Sequence, residues 1–358
     1  MQALRRSAHH SDVHVPDGFI NAPVSAVAGV VAAGAVAVSL RGARRELDER
    51  TAPLAGLVAA FVFAVQMLNF PVAAGTSGHL LGGALAAILV GPWTGVLCIA
   101  VVLLMQGVLF ADGGLTALGV NIDVMGVVTV VVAYALFRGL VLVLPRTRRS
   151  VTAASFVAAL VSVPAAAAAF TLVYAVGGTT DVPLGKVLTA MVGVHVLIGI
   201  GEAVITMLTV GAVLAVRPDL VYGARGLTAP LKLRVDGELV DAAPAAPAAP
   251  AQGSPRKLWT AGVVTALVLA GFVSFYASAS PDGLEKVAAD QGIDAKADAY
   301  EHATADSPLA DYGVKDVGDA RLSGGLAGVI GVGTTLAVGT GVFLVVRRRR
   351  RDAVPESV

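Results

Sequence analysis

Nine strongly apolar segments run through this chain of 358 residues, and they limit its possible folds more than any other feature. Hydrophobic residues make up 56% of the sequence and charged residues 14%, whereas soluble domains carry about 25% charged residues. A helix needs about 20 mainly apolar residues to cross a bilayer. We therefore predict an all-α, polytopic membrane helix bundle. The candidate spans are residues 19–40, 52–72, 79–91, 93–111, 119–144, 151–176, 185–216, 258–279 and 323–346.

The third segment is short, and Gly91-Pro92 separates it from the fourth. We predict a half-helix here, beside the loop at His79, which a membrane tolerates only where protein surrounds the backbone. If this segment counts as a span, all five clusters of arginine and lysine lie on the same side of the membrane. The positive-inside rule predicts that this side is the cytoplasmic one. The clusters lie at residues 41–50, 146–149, 217–234, 256–257 and 347–351.

The chain divides into two membrane units joined by a linker rich in proline and alanine. Residues 1–12 are an extension, 13–234 a seven-span unit, 235–257 the linker, 258–346 a two-span unit with an outer loop at 280–322, and 347–358 a basic cytoplasmic tail. The carboxylates of the outer loop lack the spacing of a calcium loop. We therefore assign no ion site to that loop. Its acidic excess either concentrates cations near the entrance or keeps the loop soluble, and we favour the second interpretation.

Two histidines frame membrane segments on the predicted outer side. His14 precedes the first span, and His79 stands among glycines before the half-helix. Ionisable groups at membrane depth are functional by default, and imidazole suits borderline transition metals. The pair therefore indicates a metal-binding pocket, although two interfacial histidines with local hydrogen bonds would give the same pattern.

Four further polar residues lie near the outer ends of spans. Gln66 and Asn69 share one helical face, and could either hydrogen-bond the backbone near a ligand or join helices. Asn121 and Asp123 begin the fifth span, where capping of the helix is the simpler interpretation.

The seventh span carries His195 and Glu202, which are seven residues apart and hence on one face. Their separation along the helix is too great for joint binding of one ion. A carboxylate at this depth needs a partner, so we interpret Glu202 as a structural or coupling residue.

Several motifs resemble one known family. The runs His14-Val-Pro-Asp-Gly-Phe-Ile20, Gln66 to His79 and Phe110 to Gly119 are similar to CbiM/NikM, the substrate-binding membrane component of energy-coupling-factor cobalt and nickel importers. Pro281-Asp-Gly-Leu-Glu285 resembles the PDGLE motif of the small partner CbiN/NikN, here fused to the same chain.

The resemblance implies a set of nitrogen ligands. In that family the metal is held by the N-terminal amine, the backbone nitrogen and imidazole of a histidine at the second position, and a second histidine in a loop. These ligands correspond here to His14 and His79, with an amine from Val13 if that residue is the true initiator. Four planar nitrogens suit Ni(II) and can hold Co(II), whereas Mg(II) and Ca(II) prefer oxygen.

The N-terminus departs from the family pattern, because twelve residues precede Val13. Our hypothesis is that translation starts at a GTG codon for Val13, which would restore the family N-terminus. Proteolytic trimming, or replacement donors from His9 and His10, are the alternatives. Mass spectrometry of the native N-terminal peptide decides among them.

The function implied is a non-catalytic subunit for uptake of Co(II) or Ni(II), with a slight lean to cobalt and no permanently bound cofactor. Gly185-Lys186 lacks the other residues of a phosphate-binding loop. ATP hydrolysis is therefore expected in separate CbiO/NikO-like chains, coupled through a CbiQ/NikQ-like membrane protein. We expect a bacterial plasma-membrane protein that binds no nucleic acid.

Two alternative functions stay open: a vitamin-binding subunit of the same transporter type and an intramembrane metalloenzyme.

Overall fold

The computed structural model describes residues 14–73, 75–145, 147–225, 232–235, 238–241, 255–278, 280–293 and 302–351. In chain order its helices are α1 (Ala22–Glu46), α2 (Thr51–Gln66), α3 (Gly83–Val90), α4 (Pro92–Leu109), α5 (Leu118–Asn121), α6 (Thr129–Val143), α7 (Arg148–Gly177), α8 (Leu184–Val216), α9 (Pro255–Gly271), α10 (Gly283–Gln291) and α11 (Ala320–Arg351). A π-helical segment, Ile122–Val128, joins α5 to α6 in one continuous helix.

Seven helices of the described residues are long and apolar enough to cross a membrane. The prediction of an all-α polytopic membrane protein is therefore confirmed. The strands are short: β1 (Phe70–Ala73) pairs antiparallel with β2 (Thr76–Gly78), and β3 (Lys232–Val235) with β4 (Glu238–Asp241).

The third apolar segment is the half-helix that its length predicts. Helix α3 has eight residues, and the chain is buried throughout from Thr76 to Gly91. An irregular stretch leads from β2 to Gly82, whose φ of +84° favours glycine. Protein therefore encloses both the irregular stretch and the helix, which is the condition for irregular backbone within a membrane.

The C-terminal unit packs directly on the first unit through glycines. A side chain at Gly56 of α2 would collide with Thr340 of α11, and one at Gly331 of α11 would collide with the ring of Phe63. Small residues allow helix backbones to approach closely in this way. This contact brings the outer loop of the second unit over the first.

Two details differ from the predicted division. The hairpin of β3 and β4 crosses the boundary drawn between residues 234 and 235, and α9 begins at Pro255 rather than at residue 258. The Pro/Ala run 242–250 lies outside the described residues. The remaining boundaries stay predictions.

Candidate metal centre

The backbone next to His14 is held by the start of the fifth apolar segment. Asn121 accepts a hydrogen bond from the amide of Val15 at 3.0 Å and donates one to its carbonyl at 3.1 Å. The amide of Gly114 also donates to the Val15 carbonyl, at 3.0 Å. His14, which is 2% exposed, therefore has a defined position beside the turn that contains Gly114.

A buried carboxylate holds the irregular stretch that follows His79. Glu202 in α8 accepts hydrogen bonds from the amides of Leu81 at 2.7 Å and Gly82 at 3.2 Å. Gln66 donates from Nε2 to the Leu81 carbonyl at 3.1 Å. Because α3 begins directly after Gly82, the Glu202 carboxylate also lies at the N-terminus of this helix, where negative charge is favourable. These hydrogen bonds hold the backbone just after His79 and thereby limit the position of His79 itself.

The two histidines singled out from the sequence lie against each other. Their ring centroids are 5.5 Å apart, and the ring planes are inclined by 74°. His79 is buried, and its Nε2 atom has no hydrogen-bond partner among the described residues. Buried polar atoms almost always have a partner, so this atom requires an explanation, and a bound ion would supply one.

A carboxyl group lies next to each imidazole. Asp112 Oδ1 is 3.0 Å from Nδ1 of His14, and Asp282 Oδ2 is 3.5 Å from Nδ1 of His79. A carboxylate next to a ligating histidine fixes the orientation and tautomer of the ring. Asp282 belongs to the C-terminal unit, so both units contribute to this site.

The pKa values of the two carboxyl groups are shifted in opposite directions. Burial favours a raised pKa for Asp112, but the adjacent His14 and a hydrogen bond from Tyr312 outweigh it, and the pKa is lower than usual. At Asp282 burial dominates and raises the pKa to about 8, although a hydrogen bond from the Glu285 amide opposes this. A cation bound near His79 would therefore favour ionisation of Asp282.

Sequence reasoning missed both carboxylates. The interpretation of the outer loop as merely solvated is wrong for Asp282, which is 1% exposed and faces His79. The available signals were the two family-like runs that contain these residues, Phe110 to Gly119 for Asp112 and Pro281 to Glu285 for Asp282. No spacing rule connects either carboxylate to a histidine so distant in the chain.

The histidines line a cavity of about 50 Å³. His195 of α8 lies on the same cavity, with Nδ1 2.7 Å from the carbonyl oxygen of Met191. Glu202, seven residues further on, contacts the backbone after His79 instead. As expected from their spacing, His195 and Glu202 do not meet at one point.

The remaining sequence candidates lie away from the imidazoles or have different roles. Capping by Asn121 is wrong, because α5 starts after Ala117 and the Asn121 side chain binds Val15 instead. Asp123 lies in the π-helical segment and does not line the cavity. The shared helical face predicted for Gln66 and Asn69 is wrong, because α2 ends at Gln66. The Asn69 carbonyl accepts a hydrogen bond from the Ser278 amide, and Asn69 lines a different pocket.

His14 and His79 alone are an incomplete ligand set. Within the part of the chain that the structure describes, no three His, Cys, Asp or Glu side chains lie close enough to hold a metal ion. Further donors would have to come from elsewhere. Val13, His9 and His10, the donors considered from the sequence, lie outside the described residues.

The fold and site define a multi-pass membrane protein with a candidate metal centre between two buried histidines. Residues 14–220 match the family described as the cobalt uptake substrate-specific transmembrane region, CbiM, and residues 256–348 match the PDGLE domain. The chain belongs to the CbiM family and carries a fused PDGLE unit. The resemblance inferred from the motifs is confirmed.

Relatives with curated names are metal transport proteins. A putative metal transport protein of Haloquadratum walsbyi is 38% identical over 59% of this chain and 94% of its own length. A putative fused nickel transport protein, NikMN, of Archaeoglobus fulgidus is 35% identical over 65% of this chain and 75% of its own length. A crystal structure of a transition metal transporter is 28% identical, covers 60% of this chain and all of the other, and has a TM-score of 0.52.

Proposed function

We propose that this chain is the substrate-binding membrane subunit of an ATP-driven energy-coupling-factor importer for divalent cobalt or nickel. The observation that carries the proposal is the pair of buried imidazoles, 5.5 Å apart, with Nε2 of His79 unpartnered among the described residues. Buried nitrogen donors favour borderline metals over Mg(II) or Ca(II). An N-terminal amine and a backbone nitrogen would complete the ligand set.

The size of the cavity favours an ion over a vitamin. Pockets for small organic ligands usually measure about 300–1,000 Å³, whereas the cavity beside the histidines measures about 50 Å³. An intramembrane metalloprotease would require a His-Glu-x-x-His helix, which the sequence lacks. Transport of an ion is therefore the better supported function.

The names of the relatives divide between two metals. Fused relatives in Archaeoglobus fulgidus and Rhodobacter capsulatus are called nickel transport proteins, and one in Sorangium cellulosum is called cobalt transport protein CbiM. Because relatives with the same fusion are called nickel transport proteins, the fusion does not favour cobalt over nickel. We propose both ions as substrates, because nitrogen donors accept either.

Import driven by ATP requires partner chains, because this sequence has no phosphate-binding loop. We propose a CbiO/NikO-like ATPase and a CbiQ/NikQ-like membrane protein as partners. The fused PDGLE unit would control loading or stability of the metal site.

The test is uptake of radiolabelled cobalt and nickel, each competed by the other, in cells that express this chain with both partners. We expect uptake of at least one ion, lost when the partner ATPase carries an inactivating substitution. Failure of both ions to accumulate in a complex shown to assemble would contradict the proposal and favour an organic ligand.

The proposed orientation puts the metal centre outside and the C-terminal tail in the cytoplasm of a bacterial cell. Two basic clusters that are distant in the sequence support it, since Arg50 and Arg256 line one pocket. That pocket is separated from the centre by the length of α1, whose 25 residues span about 37 Å.

Cysteine labelling checks this orientation. Cys98 is the single cysteine and is buried, so it can be replaced by alanine before Gly318→Cys or Arg148→Cys is introduced at an exposed position. In intact cells or spheroplasts, a membrane-impermeant maleimide should label position 318 and should label position 148 only after permeabilisation. The reverse pattern would contradict the orientation.

A further inference from the structure

A tyrosine of the C-terminal unit reaches the carboxylate next to His14. The hydroxyl of Tyr312 donates a hydrogen bond to Oδ2 of Asp112 at 2.5 Å. The other oxygen of that carboxylate, Oδ1, is 3.0 Å from Nδ1 of His14. Tyr312, Asp112 and His14 thus form a continuous relay between the two units.

Packing determines where this hydroxyl points. The ring of Tyr312 stacks on Phe110, with centroids 4.9 Å apart and planes inclined by 25°, and lies 6.5 Å from the ring of Phe63. The amide of Asp311 donates to the Phe110 carbonyl at 2.9 Å. Tyr312 also has a φ of +54°, which is rare for a bulky residue and persists only when its surroundings impose it.

Docking of the outer loop does not depend on the tyrosine hydroxyl. Nε2 of His302 contacts the carbonyl of Gly113 at 2.9 Å, and the Thr304 hydroxyl donates to the carbonyl of Gly107 at 2.7 Å. The Ser307 hydroxyl donates to the carbonyl of Leu109 at 2.5 Å. With these bonds and the ring stacking in place, the loop should stay docked when the hydroxyl alone is removed.

We infer that Tyr312 is a positioning residue for the metal centre: through Asp112 it orients the imidazole of His14. The inference rests on the proposed function, since it assigns Tyr312 a role in binding the same ion. A carboxylate that holds the ring of a metal-bound histidine typically contributes about 10–100-fold to metal affinity. Tyr312 acts through such a carboxylate, so we expect its loss to cost the lower end of that range. The C-terminal unit would thereby influence affinity through one hydroxyl group.

The test is Co(II) and Ni(II) binding to the purified full chain carrying Tyr312→Phe, which keeps the ring and removes the hydroxyl. Tyr276→Phe, at a tyrosine of the same unit that is 73% exposed, is the matched control. We expect roughly 10-fold weaker binding for Tyr312→Phe, with a change in the visible absorption bands of bound Co(II). Wild-type affinity and spectrum are expected for Tyr276→Phe.

A double-mutant cycle separates the relay from a general structural effect. Asp112→Ala should also weaken binding, and adding Tyr312→Phe to it should cause no further loss, because the hydroxyl then has no carboxylate to hold. An additive loss, or wild-type affinity and spectrum for Tyr312→Phe, would overturn the relay while leaving the proposed function intact. If the wild-type chain binds neither ion, both proposals fail.

Discussion

Replacing His79 with alanine is expected to abolish binding of cobalt and nickel, because it removes one of the two imidazoles that face each other at the centre. An ion that binds only the folded protein stabilises it by about 2.7 kcal/mol at 100 times its dissociation constant. Wild-type protein should show this gain in the free energy of unfolding when Co(II) or Ni(II) is added. The His79→Ala variant should show none.

The measurement is denaturant unfolding in detergent with and without each metal. Mg(II), which prefers oxygen ligands, is the ion control and should stabilise neither protein. The metal-induced difference is the relevant quantity, since loss of a buried ring also changes the stability of the metal-free protein. A His79→Ala variant that is stabilised as strongly as wild type would remove His79 from the site.

Substitution of Glu202 by glutamine is expected to lower both stability and metal affinity. Glutamine keeps one oxygen acceptor, so one of the amides of Leu81 and Gly82 loses its partner in the protein interior. A buried amide left unsatisfied costs about 1–3 kcal/mol. The same change loosens the backbone that follows His79, so we expect about 10-fold weaker Co(II) or Ni(II) binding by calorimetry.

Glu46 offers a matched control at the other end of the molecule. Its buried carboxylate accepts hydrogen bonds from the Thr94 amide at 2.7 Å and the Trp93 amide at 3.3 Å, at the start of α4. Glu46→Gln should lower the free energy of unfolding by a similar amount but leave metal affinity unchanged. If both variants weaken binding equally, the effect of Glu202 is one of stability and not of positioning His79.

Hydropathy predicts the membrane bundle, because polar groups are costly in lipid, and the positions of lysine and arginine predict its orientation. The half-helix was also predictable, since the segment before Gly91-Pro92 is too short to span. The partners of Glu202 were not predictable, because the amides of an irregular backbone carry no signature in the sequence. The carboxylate is paired with Leu81 and Gly82 rather than with a cation among the described residues.

The two histidines were found because an imidazole is conspicuous in apolar sequence. Asn121 was misinterpreted as a cap because its side chain contacts Val15, a residue far away in the chain. Asp112 and Asp282 lie in motifs that the family resemblance includes, but the resemblance assigns them no contact. Such contacts depend on tertiary packing, within the first unit for Asp112 and Asn121 and between the units for Asp282, which local patterns do not encode.

The small volume of the central cavity has a consequence for the rate at which an ion can be captured. Divalent cobalt and nickel travel in water with six coordinated water molecules, and about 50 Å³ holds only a few, because one water needs about 10–15 Å³ of cavity volume in this measure. An arriving ion must therefore shed part of its hydration shell. Nickel exchanges coordinated water much more slowly than cobalt, so two ions held equally tightly at equilibrium would be captured at different speeds.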